Sequence, residues 1–191
     1  MQTIQLDDRS FLDFDRDFVN KELADTLFQH LNDDMDWQET IYTSETGKTI
    51  KVPRLRCYMG DENIAIRLFQ REPMKWTKQL SELKEKIEKL QNTKFDYVLM
   101  AKYRNGKDKI GFHRDQEASE EGKNVIASLS FGATRTFVIK NEADSTKSYT
   151  FELPHGSLLV MRGDTQINWV HSLLQDRAVK ESRINLTFRK S

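Results

Sequence analysis

His113 and Asp115 form the only His-x-Asp in this sequence of 191 residues. They sit in Gly111-Phe112-His113-Arg114-Asp115, between two segments whose residue types favour strands. Residues two apart in an extended chain project to the same side, so the imidazole and the carboxylate can converge on one point. A metal suits that point. Two imidazoles and one carboxylate on one face of a metal, with the other positions open, make a non-haem Fe(II) centre, so the pair needs a second histidine. His30, His155 and His171 are the candidates. Taken alone, His-x-Asp is as readily a surface dipeptide, and the elements that carry it have to decide the matter.

The chain length suits one domain with a substantial core. Charged residues make up 31% and the hydrophobic set 37%, which is polar but sufficient to fold. A single cysteine, Cys57, excludes an internal disulfide and a cysteine-based zinc site, and it favours a reducing compartment. The first residues carry neither a basic leader nor an apolar run, and no stretch approaches a membrane span. A soluble, intracellular monomer of nucleus or cytoplasm is expected. Zero net charge hides an uneven distribution: residues 1–40 hold 11 acids against 3 Lys/Arg, whereas residues 41–115 hold 17 Lys/Arg against 10 acids. A locally basic middle is what a polyanion-facing surface requires.

Two helices are expected early. Asn20 is a good N-cap for Leu23, Ala24, Leu27, Phe28 and Leu31, which recur at helical spacing, and His30 lies off that stripe. Thr77 caps a second helix over about 77–91, with Leu80, Leu83, Ile87 and Leu90 on one side. Between them, Gln38–Thr43 and Thr49–Val52 flank a turn, and Gly60-Asp61-Glu62-Asn63 separates two further extended runs, a pattern of paired hairpins. After Thr93 the chain reads as strands: Phe95–Tyr103, Val125–Phe131, Thr136–Lys140, Tyr149–Leu153, Ser157–Met161, Ile167–Val170 and Ile184–Phe188. Many short strands after two helices predict a β-sandwich or barrel with helices on one face.

In the last strand, strict alternation puts Ile184, Leu186 and Phe188 on one side and Arg183, Asn185, Thr187 and Arg189 on the other. An edge strand in water would tolerate that polar side. Inside an open barrel, two guanidiniums would need anionic partners, and a dicarboxylate such as 2-oxoglutarate supplies them, because arginine grips carboxylates through a planar fork.

With these residues in view, the sequence resembles the AlkB-like 2-oxoglutarate- and Fe(II)-dependent dioxygenases, in particular the branch that repairs N-methylated bases of nucleic acids. The resemblance runs from about Phe11 to Arg189. It rests on Val52-Pro53-Arg54, Gly60-Asp61, Tyr103, the stretch Gly111–Glu117, the stretch Ala127–Ala133, His155–Leu159, Trp169–Leu173 and Arg183–Arg189, in that order and spacing. It implies a mostly β fold with flanking helices around a double-stranded β-helix (jelly-roll) core. One domain over 1–191 is expected, with helices and a substrate lid to about 94 and the catalytic core from about 95.

The resemblance also implies roles. His113, Asp115 and His171 match the iron ligands, with His171 preferred because it stands twelve residues before Arg183. His155 is then structural. Arg183 matches the arginine on the distal carboxylate of 2-oxoglutarate and Arg189 the one near the proximal carboxylate, while Tyr103 and Asn185 match further co-substrate contacts. Gln116 and Glu117 match positions facing the damaged base, and Arg54, Tyr58 and Phe69 are the expected phosphate-side and stacking residues. Ala101 stands where the family usually shows Asn, which predicts one co-substrate hydrogen bond fewer. Val170 and segment 63–72 also depart from the pattern. The implied reaction is demethylation of 1-methyladenine- or 3-methylcytosine-type bases in DNA or RNA, using Fe(II), 2-oxoglutarate and O2 and yielding succinate and formaldehyde. Two rivals are an oxygenase acting on a protein side chain or small molecule, and a nucleic-acid-binding module with a structural metal. A structural metal has no use for the arginine pair beside it.

Overall fold

In the computed structural model of the chain, residues 1–44, 46–62, 64, 72–115, 118 and 124–191 are described, the side chain of Tyr42 excepted. The elements in chain order are β1 (Gln2–Gln5), β2 (Ser10–Asp15), α1 (Lys21–Asp33), β3 (Gln38–Thr43), β4 (Thr49–Gly60), α2 (Lys78–Gln91), β5 (Tyr97–Tyr103), β6 (Ile110–His113), β7 (Ile126–Gly132), β8 (Arg135–Asn141), β9 (Ser148–Leu153), β10 (Ser157–Gly163), α3 (Thr165–Asn168), β11 (Trp169–Leu173) and β12 (Arg183–Arg189). The strands form an eight-stranded sheet in the order β1-β2-β10-β7-β12-β5-β4-β3 and a four-stranded sheet in the order β6-β11-β8-β9. All the pairings within these sheets are antiparallel. This is the β-sandwich with helices on one face that the sequence predicts.

The helices cap where the sequence says they should. Asn20 accepts a hydrogen bond from Leu23 N–H, and Thr77 accepts one from Leu80 N–H, each satisfying a donor that a helix start leaves open. Ala24, Leu27 and Leu31 of α1 and Leu80, Leu83 and Ile87 of α2 are buried in one cluster with Val98, Met100, Leu129, Phe131, Leu158, Val160, Ile184, Leu186 and Phe188. One side of the large sheet is therefore apolar and covered by helices. A second core between the two sheets gathers Leu12, Ile126, Phe137, Ile139, Leu153, Leu159, Met161, Trp169 and Leu173. Each such side chain removed from water contributes about 1.5–3 kcal/mol.

Two local expectations are corrected. Leu90 is 45% exposed while Glu88 is buried, because Lys84, Lys94 and the Phe95 N–H turn that carboxylate inward. Residues 165–168 form the short α3, so the strand expected at Ile167–Val170 starts at Trp169 and runs to Leu173. β12 lies between β5 and β7 and not at an edge, in keeping with the expected placement of its polar side inside the fold. Of the two expected hairpins, the one turning at residues 44–48 is formed by β3 and β4, and for the one expected at Gly60–Asn63 most of the second run lies outside the described residues.

Candidate active site

β12 presents its apolar residues to the helices and its polar ones to the gap between the sheets, where Arg183, Asn185, Thr187 and Arg189 line a pocket of about 240 Å³. Tyr103, Ala101 and Leu99 of β5, Arg54 and Arg56 of β4, and His113, Asp115 and His171 line it too. Depth comes from the major sheet and the metal-type residues from the minor one.

His113 and His171 are direct partners in the β6–β11 pair, with ring centroids 4.3 Å apart. Asp115 follows β6, and its two carboxylate oxygens each lie 3.7 Å from one histidine Nε2. One ligand atom from each of the three falls within 4.8 Å of the others. His113 Nδ1 is 2.9 Å from Gly111 O; donation to that carbonyl leaves Nε2 as the free lone pair, the usual way an imidazole ligand is oriented. Gln166 Oε1 accepts from Asp115 N–H at 2.9 Å, and Arg189 Nη2 donates to Asp115 Oδ1 at 2.8 Å. Burial pushes His171 down to about 4, against the pull of the Asp115 charge, so its imidazole is neutral and able to ligate. Burial works against the Asp115 charge as well, yet Arg189 and the two imidazoles hold it below the usual carboxylate range.

Arg183 is 1% exposed. Its Nη2 donates to Ser130 Oγ at 2.8 Å, its Cζ lies 5.4 Å from the Tyr103 ring centre, and its Nε and Nη1 have no partner among the described residues. Burial first, and then Arg135, push it down to about 10, with Tyr103 opposing them. Asn185 Nδ2 donates to Ser128 Oγ and Leu129 O, both at 2.8 Å. A buried guanidinium with open donors demands an anion. The donor set fits the groups the sequence implies: His113, Asp115 and His171 would hold Fe(II) with positions to spare, and Arg183 would take a carboxylate of 2-oxoglutarate.

Arg54 is half-buried on the pocket wall, and its Nη1 donates to Lys109 O at 3.3 Å. The expected stacking role of Tyr58 is not met: its ring is 1% exposed in β4 and offers no face to a base. Phe69, Gln116 and Glu117 lie outside the described residues. His155 stands away from the pocket, where its Nδ1 accepts from Gly132 N–H at 2.8 Å, and His30 pairs with Asp34 at 2.6 Å on α1. Sequence reasoning missed Gln166, for which no local signal exists, and Arg56, which alternation with Arg54 placed on the same side of β4.

A pocket between two antiparallel sheets that gathers a His-Asp-His cluster and a buried arginine with open donors has the side chains of a non-haem Fe(II) site with a seat for an anion beside it. The comparisons agree: residues 14–189 match the model of the 2OG-Fe(II) oxygenase superfamily, and the chain belongs to that family. It is 35% identical over 181 residues to human "Alpha-ketoglutarate-dependent dioxygenase alkB homolog 3", covering 90% of this chain and 63% of that protein. It is 33% identical over 181 residues to human "DNA oxidative demethylase ALKBH2", covering 89% and 69%. The chain thus spans less than two thirds of the length of the alkB homolog 3 relatives. Among solved structures, that of OsALKBH1 superposes with a TM-score of 0.70 at 16% identity, covering 94% of this chain and 97% of that one. A prolyl hydroxylase from Trichoplax adhaerens gives 0.63 at 10% identity, covering 93% and 82%. These two likenesses concern the fold. No helix among the described residues is long and apolar enough to cross a membrane.

Proposed function

We propose that the chain oxidatively demethylates N-alkylated bases, of the 1-methyladenine and 3-methylcytosine type, in DNA or RNA. The supporting observation is the convergence of His113, Asp115 and His171 with the buried Arg183 in one pocket, in a chain 35% and 33% identical to relatives named as alkB-type dioxygenase and DNA demethylase. Bound Fe(II), with 2-oxoglutarate and O2, supplies oxidation of a C–H bond as the co-substrate leaves as succinate and CO2. Hydroxylation turns the N-methyl into N-hydroxymethyl; the C–N bond then breaks with its electron pair returning to the ring nitrogen, the hydroxyl proton passes to solvent, and formaldehyde departs. Arg183 seats the co-substrate, Arg189 holds Asp115 in its ligating orientation, and the sandwich walls exclude water. A base reaches so enclosed a site only when flipped out of its stack. Gln116 and Glu117 are proposed to face it, Phe69 to stack on it and Arg54 to contact phosphate. We further place the protein in solution as a monomer in nucleus or cytoplasm.

The test is formaldehyde release from methylated DNA, methylated RNA and peptides in parallel, with Fe(II), 2-oxoglutarate and O2. Oligonucleotide affinity should fall with salt at a log–log slope of roughly −0.7 to −0.9 per phosphate contact. Arg54→Ala should flatten that slope by about one contact without changing which base is repaired. Formaldehyde from the peptide alone, with no salt-dependent binding of oligonucleotides, would move the protein to the other substrate class.

A further inference from the structure

Of the three metal-type residues, Asp115 alone lies beyond a strand. β6 ends at His113, opposite His171 of β11, so the ladder that sets the two imidazoles stops short of the carboxylate. The Asp115 N–H is taken up by a side chain instead: Gln166 Oε1 accepts from it at 2.9 Å, across 51 residues of chain. Both residues are buried, Gln166 at 1% exposure. Gln166 belongs to α3, the corner between β10 and β11, and stands five residues before His171. One amide therefore ties the backbone of the aspartate to the segment that leads into the second histidine strand.

The chemistry of an amide suits this task. A buried backbone N–H needs an acceptor, and a carboxylate in that place would bury a second anion beside Asp115. A glutamine oxygen accepts without adding charge. Because the Asp115 N–H can only donate, the orientation of the amide is fixed, and its Nε2 turns to Met161 Sδ at 3.3 Å, a weak acceptor. Met161 lies on β10 and lines the pocket. The Gln166 side chain is thus held at both ends, by the aspartate and by the pocket wall. Arg189 grips the other end of the same aspartate, its carboxylate, from β12.

We propose that Gln166 is a positioning residue of the metal site: its amide takes up the Asp115 N–H where the strand pairing has ended, and so holds that carboxylate toward His113 and His171 before any metal arrives. Binding then requires less reorganisation of the aspartate, which raises the affinity for the ion. This rests on the family's Fe(II) centre and is independent of the methylated-base reading.

Two measurements on the full chain test it without turnover: hydrogen exchange of the Asp115 amide in the metal-free protein, and calorimetric titration with Mn(II). In the wild type that amide should exchange about tenfold or more slower than in an open chain. Exchange at the open-chain rate overturns the assignment, with no variant needed. Gln166→Met fills the same space without an acceptor, and Gln166→Asn withdraws the amide by one carbon. Each should release the Asp115 amide to exchange and weaken Mn(II) binding about 10- to 100-fold. His155→Ala, a variant destabilised away from the pocket, should keep the wild-type Mn(II) affinity, which separates positioning from loss of stability. Unchanged Mn(II) affinity in both Gln166 variants overturns the proposal. So does an equal loss in His155→Ala, which would make the effect one of stability alone. A wild-type protein that binds no Mn(II) overturns the metal site itself, whatever the methylated substrate.

Discussion

Arg189 Nη2 lies 2.8 Å from Asp115 Oδ1, and this pair joins the two sheets at the floor of the pocket. Arg189 ends β12 of the large sheet, while Asp115 follows β6 of the small one. The guanidinium thus orients the carboxylate that the two imidazoles share. Arg189→Gln should lower Fe(II) or Mn(II) affinity by about 10- to 100-fold, the usual cost of losing a group that orients a ligand. Asp115→Asn should abolish turnover outright. Metal titration followed by tryptophan fluorescence separates the two, and unaltered metal affinity in Arg189→Gln would show that the Asp115 carboxylate does not depend on Arg189 for its orientation.

Chelation should stop turnover reversibly. His113→Ala and His171→Ala should each end it for good, because both rings supply Nε2 to the same point. The check is activity recovered on adding Fe(II) back to the chelated wild type and not to either variant.

Arg183→Lys retains the charge and loses the two-pronged donor. Binding of 2-oxoglutarate should weaken by about 1.5–3 kcal/mol. An unchanged Michaelis constant for 2-oxoglutarate in that variant sinks the pairing.

His155→Ala should keep turnover and lose stability. Its Nε2 stands 3.2 Å from Asp25, whose side chain is 55% exposed, so that contact is worth little. The Nδ1 bond from Gly132 N–H matters more, because Gly132 has φ +85° and a Cβ there would meet Ser182 O at 2.4 Å. That turn has no room to find another acceptor. A cost of about 1–3 kcal/mol is expected, read from denaturant midpoints at constant slope.

Glu88 should shape the acid limb of stability. Burial opposes its charge, but the hydrogen bonds from Lys94, Phe95 N–H and Lys84 outweigh that and hold it below its ordinary value of 4.5. Since the folded value is the lower one, its contribution is full above about pH 4.5 and is lost as pH falls through the folded value. Glu88→Gln should cost about 1.5–3 kcal/mol at neutral pH and flatten the loss below pH 4.5. Parallel stability curves for the two proteins across that range would refute it.

Much of this was legible along the chain because it depends on local geometry. The caps at Asn20 and Thr77, the alternation of β12 and the convergence of His113 with Asp115 all follow from periods of 3.6 and 2. Those periods say which residues share a face and not what covers it. Only the tertiary structure decided that β12 is central, which puts Arg183 out of water, and that β11 lies beside β6, which makes His171 the partner of His113. Arg56 shares a side of β4 with Arg54 by alternation, but its position opposite Ala101 is a matter of register between β4 and β5, and register is a property of two segments. Gln166 reaches Asp115 from a short helix 51 residues later. Such long-range contacts arise from the closing of two sheets over one core, and no window of sequence contains them.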